Sequence, residues 1–341
     1  MQSIEKMEDE KVVHSVMSVK KIVGRKLSRS NRLLVKEAIS RGVEVEKLPK
    51  KRFRLTYGNK SYVIRRGRVS NAYNSRLTKR CVDLKEVTSR LLRNKGFPAP
   101  ENGVFPSEEL QRAWNWAEPI LPVVLKPHSG SMGRLVFVNI KDYDEFRACF
   151  NRIAEKHDEV LIERFVEGKE YRFTYIKKEI VGVTHRRPAN ITGDGESTVE
   201  QLVEEKNNER KRRENPIHKC LHIDDEAIRV MSKDGFNPQS IPEKGEIVYL
   251  RNNSNISTGG DAIDVTDDIG QETKDLVAKA ASSIPGLRAC GIDVIINNDS
   301  IYILEINAHP MFSMHHYPWE GKPRNVVGKV IEAMFPALTK E

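Results

Sequence analysis

The segment Cys290-Gly-Ile-Asp-Val-Ile-Ile-Asn-Asn-Asp-Ser-Ile-Tyr-Ile-Leu-Glu-Ile-Asn-Ala-His-Pro310 restricts the possible folds more than any other part of the chain. Two apolar runs flank a polar turn at Asn297 to Ser300, the pattern of a β-hairpin. Closing the hairpin at that turn brings Asp293 opposite Glu305, within about one residue of register. Glu305 and Asn307 lie two positions apart and so share one strand face. Two carboxylates and an amide oxygen then converge on a rigid sheet, an all-oxygen donor set suited to Mg²⁺ beside nucleotide phosphates. The neighbours Ile292, Val294, Ile303, Leu304 and Ile306 predict strands covered on both faces, where an unpaired acid is costly. The plainer alternative is a hairpin whose acids face water, and the apolar neighbours weigh against it.

A chain of 341 residues, 38% hydrophobic and 31% charged, has room for two or three globular units around a sizeable core. It holds no run of about 18 apolar residues, which argues against a transmembrane helix. Its first ten residues lack the apolar stretch of a signal peptide. Cys81, Cys149, Cys220 and Cys290 are widely spaced, with no Cys-x-x-Cys, so reduced thiols in the cytoplasm are the expectation. The net charge of +9 is uneven: residues 1–80 carry 22 Lys and Arg against 7 Asp and Glu, +15, leaving −6 for the rest. Such a block could draw in nucleic acid or an anionic substrate. It is equally the solvated face of a small domain, and it shows no nucleic-acid-binding motif.

Along the chain, Ser30 is expected to cap a helix through Arg41, and Phe53 to Ile64 to form a hairpin around Gly58-Asn59-Lys60, so that residues 1–80 form a small α/β unit. A helix is predicted over Asp83 to Asn94, followed by an extended connector, Gly-Phe-Pro-Ala-Pro-Glu. Strands are predicted at Ile120–Lys126, Leu135–Val138 and Val160–Val166, with a helix at Tyr143–Lys156 between the last two. A hairpin over Glu170–Ile176 and Ile180–Arg187 comes next. The long polar span 190–245 holds one capping box, Ser197-x-x-Glu200. It reads either as a closing lid or as a disordered insertion. A strand at Glu246–Arg251, a small-residue loop Asn252–Gly260, a helix at Asp267–Ser283, the hairpin and a helix at Asn325–Met334 complete the chain.

Lys126 ends its strand and opens the loop Ser129-Gly130-Ser131-Met132-Gly133. Glycines and serines there let backbone N–H groups approach phosphate oxygens, and the lysine adds a point charge. No Gly-Lys-Ser/Thr is present and a strand follows, so this is not a Walker A loop. Lys85 could supply a second charge. In Leu161-Ile-Glu-Arg-Phe-Val-Glu-Gly-Lys-Glu170 an apolar strand runs into a polar connector. Exposed backbone there could pair with an adenine edge, and Glu170 could accept from ribose hydroxyls. From this segment alone, Glu163 and Glu170 read more readily as ordinary strand-edge acids.

In this order the residues resemble the ATP-grasp superfamily: Lys85, Lys126 with its Gly/Ser loop, Glu163 to Glu170, then Asp293 and Glu305-x-Asn307. Two stretches, Arg187-Pro-Ala-Asn-Ile-Thr-Gly-Asp-Gly-Glu-Ser-Thr-Val-Glu-Gln-Leu202 and Gly245-Glu-Ile-Val-Tyr-Leu-Arg-Asn-Asn-Ser-Asn-Ile-Ser-Thr-Gly-Gly-Asp-Ala-Ile-Asp264, are similar to the ATP-grasp modules of cyanophycin synthetase and of the bifunctional glutathione-forming enzyme. The resemblance covers roughly residues 81–335.

The resemblance implies an α+β chain with the ATP-grasp fold, in which two α/β subdomains grip ATP behind a small basic N-terminal unit (1–80). Residues 81–160 would carry the phosphate loop and 161–341 the metal and substrate. Lys85 and Lys126 would hold phosphates under the loop Ser129, Gly130, Ser131, Met132 and Gly133. Glu163, with Arg164, Phe165 and Val166, would meet adenine, and Glu170 the ribose. Asp293, Glu305 and Asn307 would carry two Mg²⁺, with Mn²⁺ as a substitute. Arg251 would join Lys126 at the transferred phosphoryl group. Arg187, Ser254, Asn255, Ser257, Thr258, Gly259 and Gly260 would line the substrate end. The implied reaction converts a carboxylate to an acyl-phosphate, which an amine then attacks, a chemistry of positioning and charge neutralisation.

The expectation is a stand-alone carboxylate–amine ligase acting on an amino acid or peptide, with a homodimer as the ordinary oligomer. Two alternatives accompany it. One is a glutathione-synthetase-like ligase. The other is a non-catalytic nucleotide- or nucleic-acid-binding protein, against which the intact Asp293, Glu305 and Asn307 argue. His218-Lys-Cys220-Leu-His222 lacks a fourth ligand for zinc. His309, His315 and His316 are either substrate contacts or strand-end caps. Trp114, Trp116 and Trp319 read as packing residues.

Overall fold

A computed structural model describes residues 27–49, 52–65, 73–129, 135–297 and 300–339. The first element is α1 (Arg29–Ser40). Its cap is Ser28, not Ser30: Ser28 is extended (ψ 159°) and its carbonyl accepts from the backbone N–H groups of Asn31 and Arg32. Ser30 lies inside the first turn, where its hydroxyl accepts from the Ser313 N–H at 3.2 Å. Strands β1 (Glu44–Leu48), β2 (Arg52–Tyr57) and β3 (Lys60–Arg65) follow as one antiparallel sheet. β2 and β3 form the expected hairpin, with Phe53 opposite Ile64. β1 escapes a pattern search because its two apolar residues, Val45 and Leu48, fall on opposite faces.

The helix expected at Asp83–Asn94 is present as α3 (Lys85–Asn94), preceded by a helix the sequence reading does not contain, α2 (Arg76–Asp83), with Leu84 at ψ 100° between them. Past the extended connector lie two elements the sequence reading does not contain, β4 (Asn102–Pro106) and α4 (Leu110–Ala117). β5 (Val123–Pro127) starts later than predicted because Glu118–Ile120 forms a 3₁₀ turn. β6 (Phe137–Ile140), α5 (Tyr143–Ala154) and β7 (Glu159–Arg164) complete a four-stranded antiparallel sheet in the order β4-β7-β5-β6. Asp142 starts α5 by accepting from the Glu145 N–H at 2.9 Å. Phe146, Phe150 and Ile153, at helical spacing, seal that helix onto Val123, Leu125, Val160 and Ile162.

The second large sheet has the order β12-β9-β8-β13-β14 and is antiparallel throughout. Its first hairpin is β8 (Lys169–Ile176) and β9 (Glu179–Arg187). Gly168, at φ +147°, lets the chain pass between the two sheets; a Cβ there would stand 2.7 Å from the Ile296 carbonyl oxygen.

The polar span after β9 is a folded unit. It comprises β10 (Asn190–Thr192), α6 (Val199–Arg212), α7 (Asp225–Lys233) and β11 (Ile247–Tyr249), closed around Ile191, Val199, Leu202, Met231 and Val248. The disordered-insertion reading does not describe it, since these elements share one apolar core. Its capping box sits one residue beyond the expected one: the Thr198 hydroxyl accepts from Gln201 N–H, and the Gln201 side chain from Thr198 N–H. Ser197 instead closes a turn on Asp194.

β12 (Asp261–Asp264), α8 (Gln271–Ser282), β13 (Ala289–Asn297), β14 (Ser300–Asn307), α9 (Ser313–His316) and α10 (Val326–Met334) complete the described chain. The large sheet is not covered by apolar side chains on both faces. Phe173, Val183, Ile292, Val294 and Ile306 pack with Val277, Ala280 and Ala281 of α8. The alternate residues Glu170, Arg172, Thr174, Thr184, Arg186 and Asp293 form a polar face. α10 packs against α1 and the β1–β3 sheet in one continuous core containing Leu34, Phe53, Ile64, Val330 and Phe335.

Candidate active site

Asp293 and Glu305 are direct partners across β13 and β14, and Asn307 stands opposite Gly291. The hairpin register is the predicted one. Asp293 is buried, and both its oxygens are engaged. Arg172 donates to one oxygen from Nε and to the other from Nη2, at 2.9 Å, while Nη2 of Arg186 lies 3.0 Å from the second. Burial alone would raise the Asp293 pKa, but the two guanidinium groups reverse this and hold it well below the usual carboxylate range. Arg186 also pairs with Glu170, whose other oxygen accepts from the Ser254 hydroxyl. Buried Nε of Arg186 has no hydrogen-bond partner among the described residues.

Glu305 forms an ion pair with Lys85 at 3.1 Å, which ties the start of α3 to the edge of the sheet. The Asn307 side-chain oxygen accepts from the His309 N–H at 2.7 Å, which fixes its orientation. Three acids, Glu170, Asp293 and Glu305, are thus matched by three cations, Lys85, Arg172 and Arg186. The donors suit a hard divalent cation, because all are oxygens and lie on one face. No group of three His, Cys, Asp or Glu side chains among the described residues is arranged to hold a metal. The Asn307 oxygen and nucleotide phosphates would have to complete a coordination shell.

On the four-stranded sheet, Lys126 of β5 pairs with buried Glu163 of β7 at 2.9 Å, and Asn102 approaches the other Glu163 oxygen at 3.5 Å. Arg164 is exposed, and Phe165 and Val166 are half-buried. The Phe165 N–H is already spent on the Pro122 carbonyl at 2.9 Å, so its own carbonyl is what remains for a base edge. Ser129 is exposed, while Gly130, Ser131, Met132 and Gly133 lie outside the described residues. Just past Lys126, His128 bridges Glu86 of α3 at 2.8 Å and Glu159 of β7 at 2.7 Å. Burial would lower the His128 pKa, but the two carboxylates together raise it.

Several expected site residues are placed elsewhere or are already engaged. Arg187 points away from Asp293 and pairs with Glu320 at 3.3 Å; its neighbour Arg186 occupies the cluster. Strand parity decides this, since alternate residues face opposite sides. Arg251 donates to Asp224, the cap of α7, at 2.7 Å and to the Leu250 carbonyl. Glu170 is held by Arg186 and Ser254. His315 is buried between the hydroxyls of Thr174 (2.7 Å) and Thr184 (3.1 Å), and burial pulls its pKa to about 3, so it is a neutral brace under the sheet rather than a substrate contact.

The loop after β11 is built rigidly. A Cβ on Gly260 would stand 2.8 Å from the Arg187 carbonyl oxygen, and Gly259 has φ +102°. Thr258 bonds to Asn253 at 2.7 Å, Asn255 N–H donates to Asn253 at 3.3 Å, and Ser257 is exposed. Beneath the loop, Asp261 is fully buried against Arg210 (2.6 Å) and Lys206 (2.7 Å), and Arg210 also donates to the Gly259 carbonyl at 2.9 Å. Trp319 lies under these cations, with the Arg213 guanidinium 4.2 Å from its ring centre.

Arg172 and Arg186 were not anticipated from the sequence. The signal was present: Glu170-x-Arg172-x-Thr174 alternates with Tyr171-x-Phe173-x-Tyr175, and only one of those faces can be the apolar one.

Residues 217–312 match the family described as ATP-grasp domain. Cyanophycin synthetase of Synechocystis sp. is 37% identical over 268 residues, 75% of this chain and 30% of that protein. The glutathione biosynthesis bifunctional protein of Enterococcus faecalis is 32% identical over 333 residues, 93% of this chain and 44% of that protein. The crystal structure of a bifunctional glutathione synthetase from Pasteurella multocida has the same fold, with a TM-score of 0.68 and 28% identity over 91% of this chain and 44% of that one. The chain therefore spans less than half the length of each of these relatives.

Proposed function

Because this chain belongs to the ATP-grasp superfamily, we propose that it is an ATP-dependent ligase that joins the carboxylate of an amino acid or peptide to an amine. The supporting observation is the single polar face on which Asp293, Glu305 and Asn307 lie with Lys85 already against Glu305. When bound, ATP supplies the phosphoryl group that turns a carboxylate into an acyl-phosphate, and magnesium screens the charge of its phosphates. Asp293, Glu305 and Asn307 are the residues proposed to hold two Mg²⁺ ions, with Mn²⁺ as a substitute.

Lys85 and Lys126 each sit on a carboxylate in this arrangement and are proposed to turn to phosphate oxygens. A lysine ammonium suits this because it is a point charge on a flexible stem. Arg186 has a buried Nε with no partner among the described residues and is proposed to receive an anionic oxygen of the substrate. Arg172 holds Asp293 in place from the neighbouring strand. The rigid Ser254–Gly260 loop, with Arg251 before it, is proposed to bound the substrate end, and Glu163 with the Phe165 carbonyl to meet adenine. Glu170 is proposed to reach the ribose only after leaving Arg186.

The test is ADP release on supplying ATP, Mg²⁺ and pairs of amino acids or short peptides, with mass spectrometry of the product. γ-Glutamylcysteine plus glycine is included as the arm that identifies a glutathione-type ligase. Glu305→Gln should abolish ADP release without altering the melting temperature much. Full turnover in that variant would remove the metal assignment.

A further inference from the structure

We propose that the chain carries a second ligand site, separate from the polar face, which binds a small phosphate ester with an aromatic body. A cavity of about 400 Å³ opens where β3, the β8–β9 turn, the end of α8 and the end of α10 meet. Its cationic lining is Lys60, Lys177, Lys178 and Arg288, and among the described residues no acid lines it. None of the four forms an ion pair with a described acid, whereas Lys85, Arg172 and Arg186 at the polar face all do. Four like charges around one hollow repel one another, and a bound anion would relieve that repulsion.

The walls are aromatic, and two of their three tyrosine hydroxyls are engaged within the protein. The Tyr73 hydroxyl donates to the Ala333 carbonyl at 3.0 Å, and the Tyr175 hydroxyl bonds to Ser282 at 3.0 Å. Tyr62 packs edge-on against Tyr73 and Phe335. The Arg288 guanidinium lies 5.7 Å from the Tyr73 ring centre. Recognition would fall to the lysines and the arginine, with tyrosine rings flanking the ligand body.

The turn carrying two of these charges supports the inference independently. Lys177 and Lys178 have φ of +46° and +78°, the conformation of a two-residue hairpin turn that favours Asn-Gly. Lysine pays a conformational cost in the left-handed region. Two lysines there run against local preference, and they place two ammonium groups at the mouth of the cavity.

The experiment titrates the full chain, by calorimetry at low and high salt, with phenyl phosphate, inorganic phosphate and phenol. Lys177→Asn/Lys178→Gly removes both charges while giving the turn its preferred residues, so it should fold and melt no lower than the parent. Expected are one phenyl phosphate per chain, weaker binding of inorganic phosphate, none of phenol, and weakening by salt. The double variant should lose at least about tenfold in affinity, and Lys85→Ala should bind phenyl phosphate as the parent does. The proposal is overturned by no saturable binding at about 10 mM, by equal affinity in the double variant, or by loss of binding in Lys85→Ala instead.

Discussion

Arg172 spans the gap between two strands to grip Asp293 through both carboxylate oxygens, and the pair is almost sealed from water, with side chains 7% and 11% exposed. Removing one member of such a pair leaves an uncompensated charge indoors, at a cost of about 3–5 kcal/mol. Asp293→Asn should therefore lower the free energy of unfolding in urea by about 3 kcal/mol, whereas Glu305→Gln, at a side chain that is 31% exposed, should cost under about 1 kcal/mol. The Asp293 carboxyl titrates below its unfolded value, so its contribution is complete above that value and fades as pH falls towards the folded one. The stability gap between parent and Asp293→Asn should narrow in acid; a gap constant down to about pH 3 would mean that charge is not what stabilises the pair.

Gly291 gives Arg172 its place. A Cβ on residue 291 would lie 2.9 Å from Arg172 Cδ, 3.1 Å from its Nη1 and 3.2 Å from Pro310 Cβ. Gly291→Ala should destabilise by about 1–3 kcal/mol through overpacking. In the Arg172→Ala background the same change should cost much less. A double-mutant cycle measures this coupling, and additive costs would show that Arg172 is not the obstructed neighbour.

His128 bonds to two carboxylates, and its pKa is raised above the ordinary histidine value. A raised folded pKa gives stability that is fully present below the unfolded value and disappears as pH rises through the folded one. The difference in melting temperature between the parent and His128→Gln should shrink between about pH 5 and 8. A difference that holds across that interval would refute a charged imidazolium at this bridge.

The thiols should be slow. Burial raises the pKa of Cys81 and Cys290 and pushes Cys149 up to about 11, and thiolate is the reactive form. With a chromogenic disulfide reagent at neutral pH, the native protein should leave these three unmodified over the time in which urea-unfolded protein releases four equivalents. Rapid native labelling of any of them would contradict this.

Local pattern revealed the hairpin register that sets Asp293 against Glu305, because one polar turn between two apolar runs admits few alignments. It did not reveal that Asp293 belongs to a polar sheet face. That face becomes visible only when β13 lies beside β8, a pairing of residues about 120 positions apart in sequence. Strand parity, with Arg186 facing Asp293 and Arg187 facing Glu320, is equally invisible until β9 is set in the sheet. The span 190–245 reads in sequence as either a closing lid or a disordered insertion because its surface is densely charged, while its core rests on a few residues such as Val199, Leu202 and Met231, brought together from separate elements. The capping box was displaced by one residue because Ser197 and Thr198 are both competent caps, and Gln201 rather than Glu200 reaches back.

The shared packing of α1 and the first three strands with α10 orders events at the ribosome. Leu34, Phe53 and Ile64 bury themselves against Val330 and Phe335, so the early segment has no completed interior until α10 has emerged. Truncation before α10 should leave the opening α/β layer protease-sensitive while the Phe146–Phe150 unit, whose contacts close within its own stretch, survives digestion.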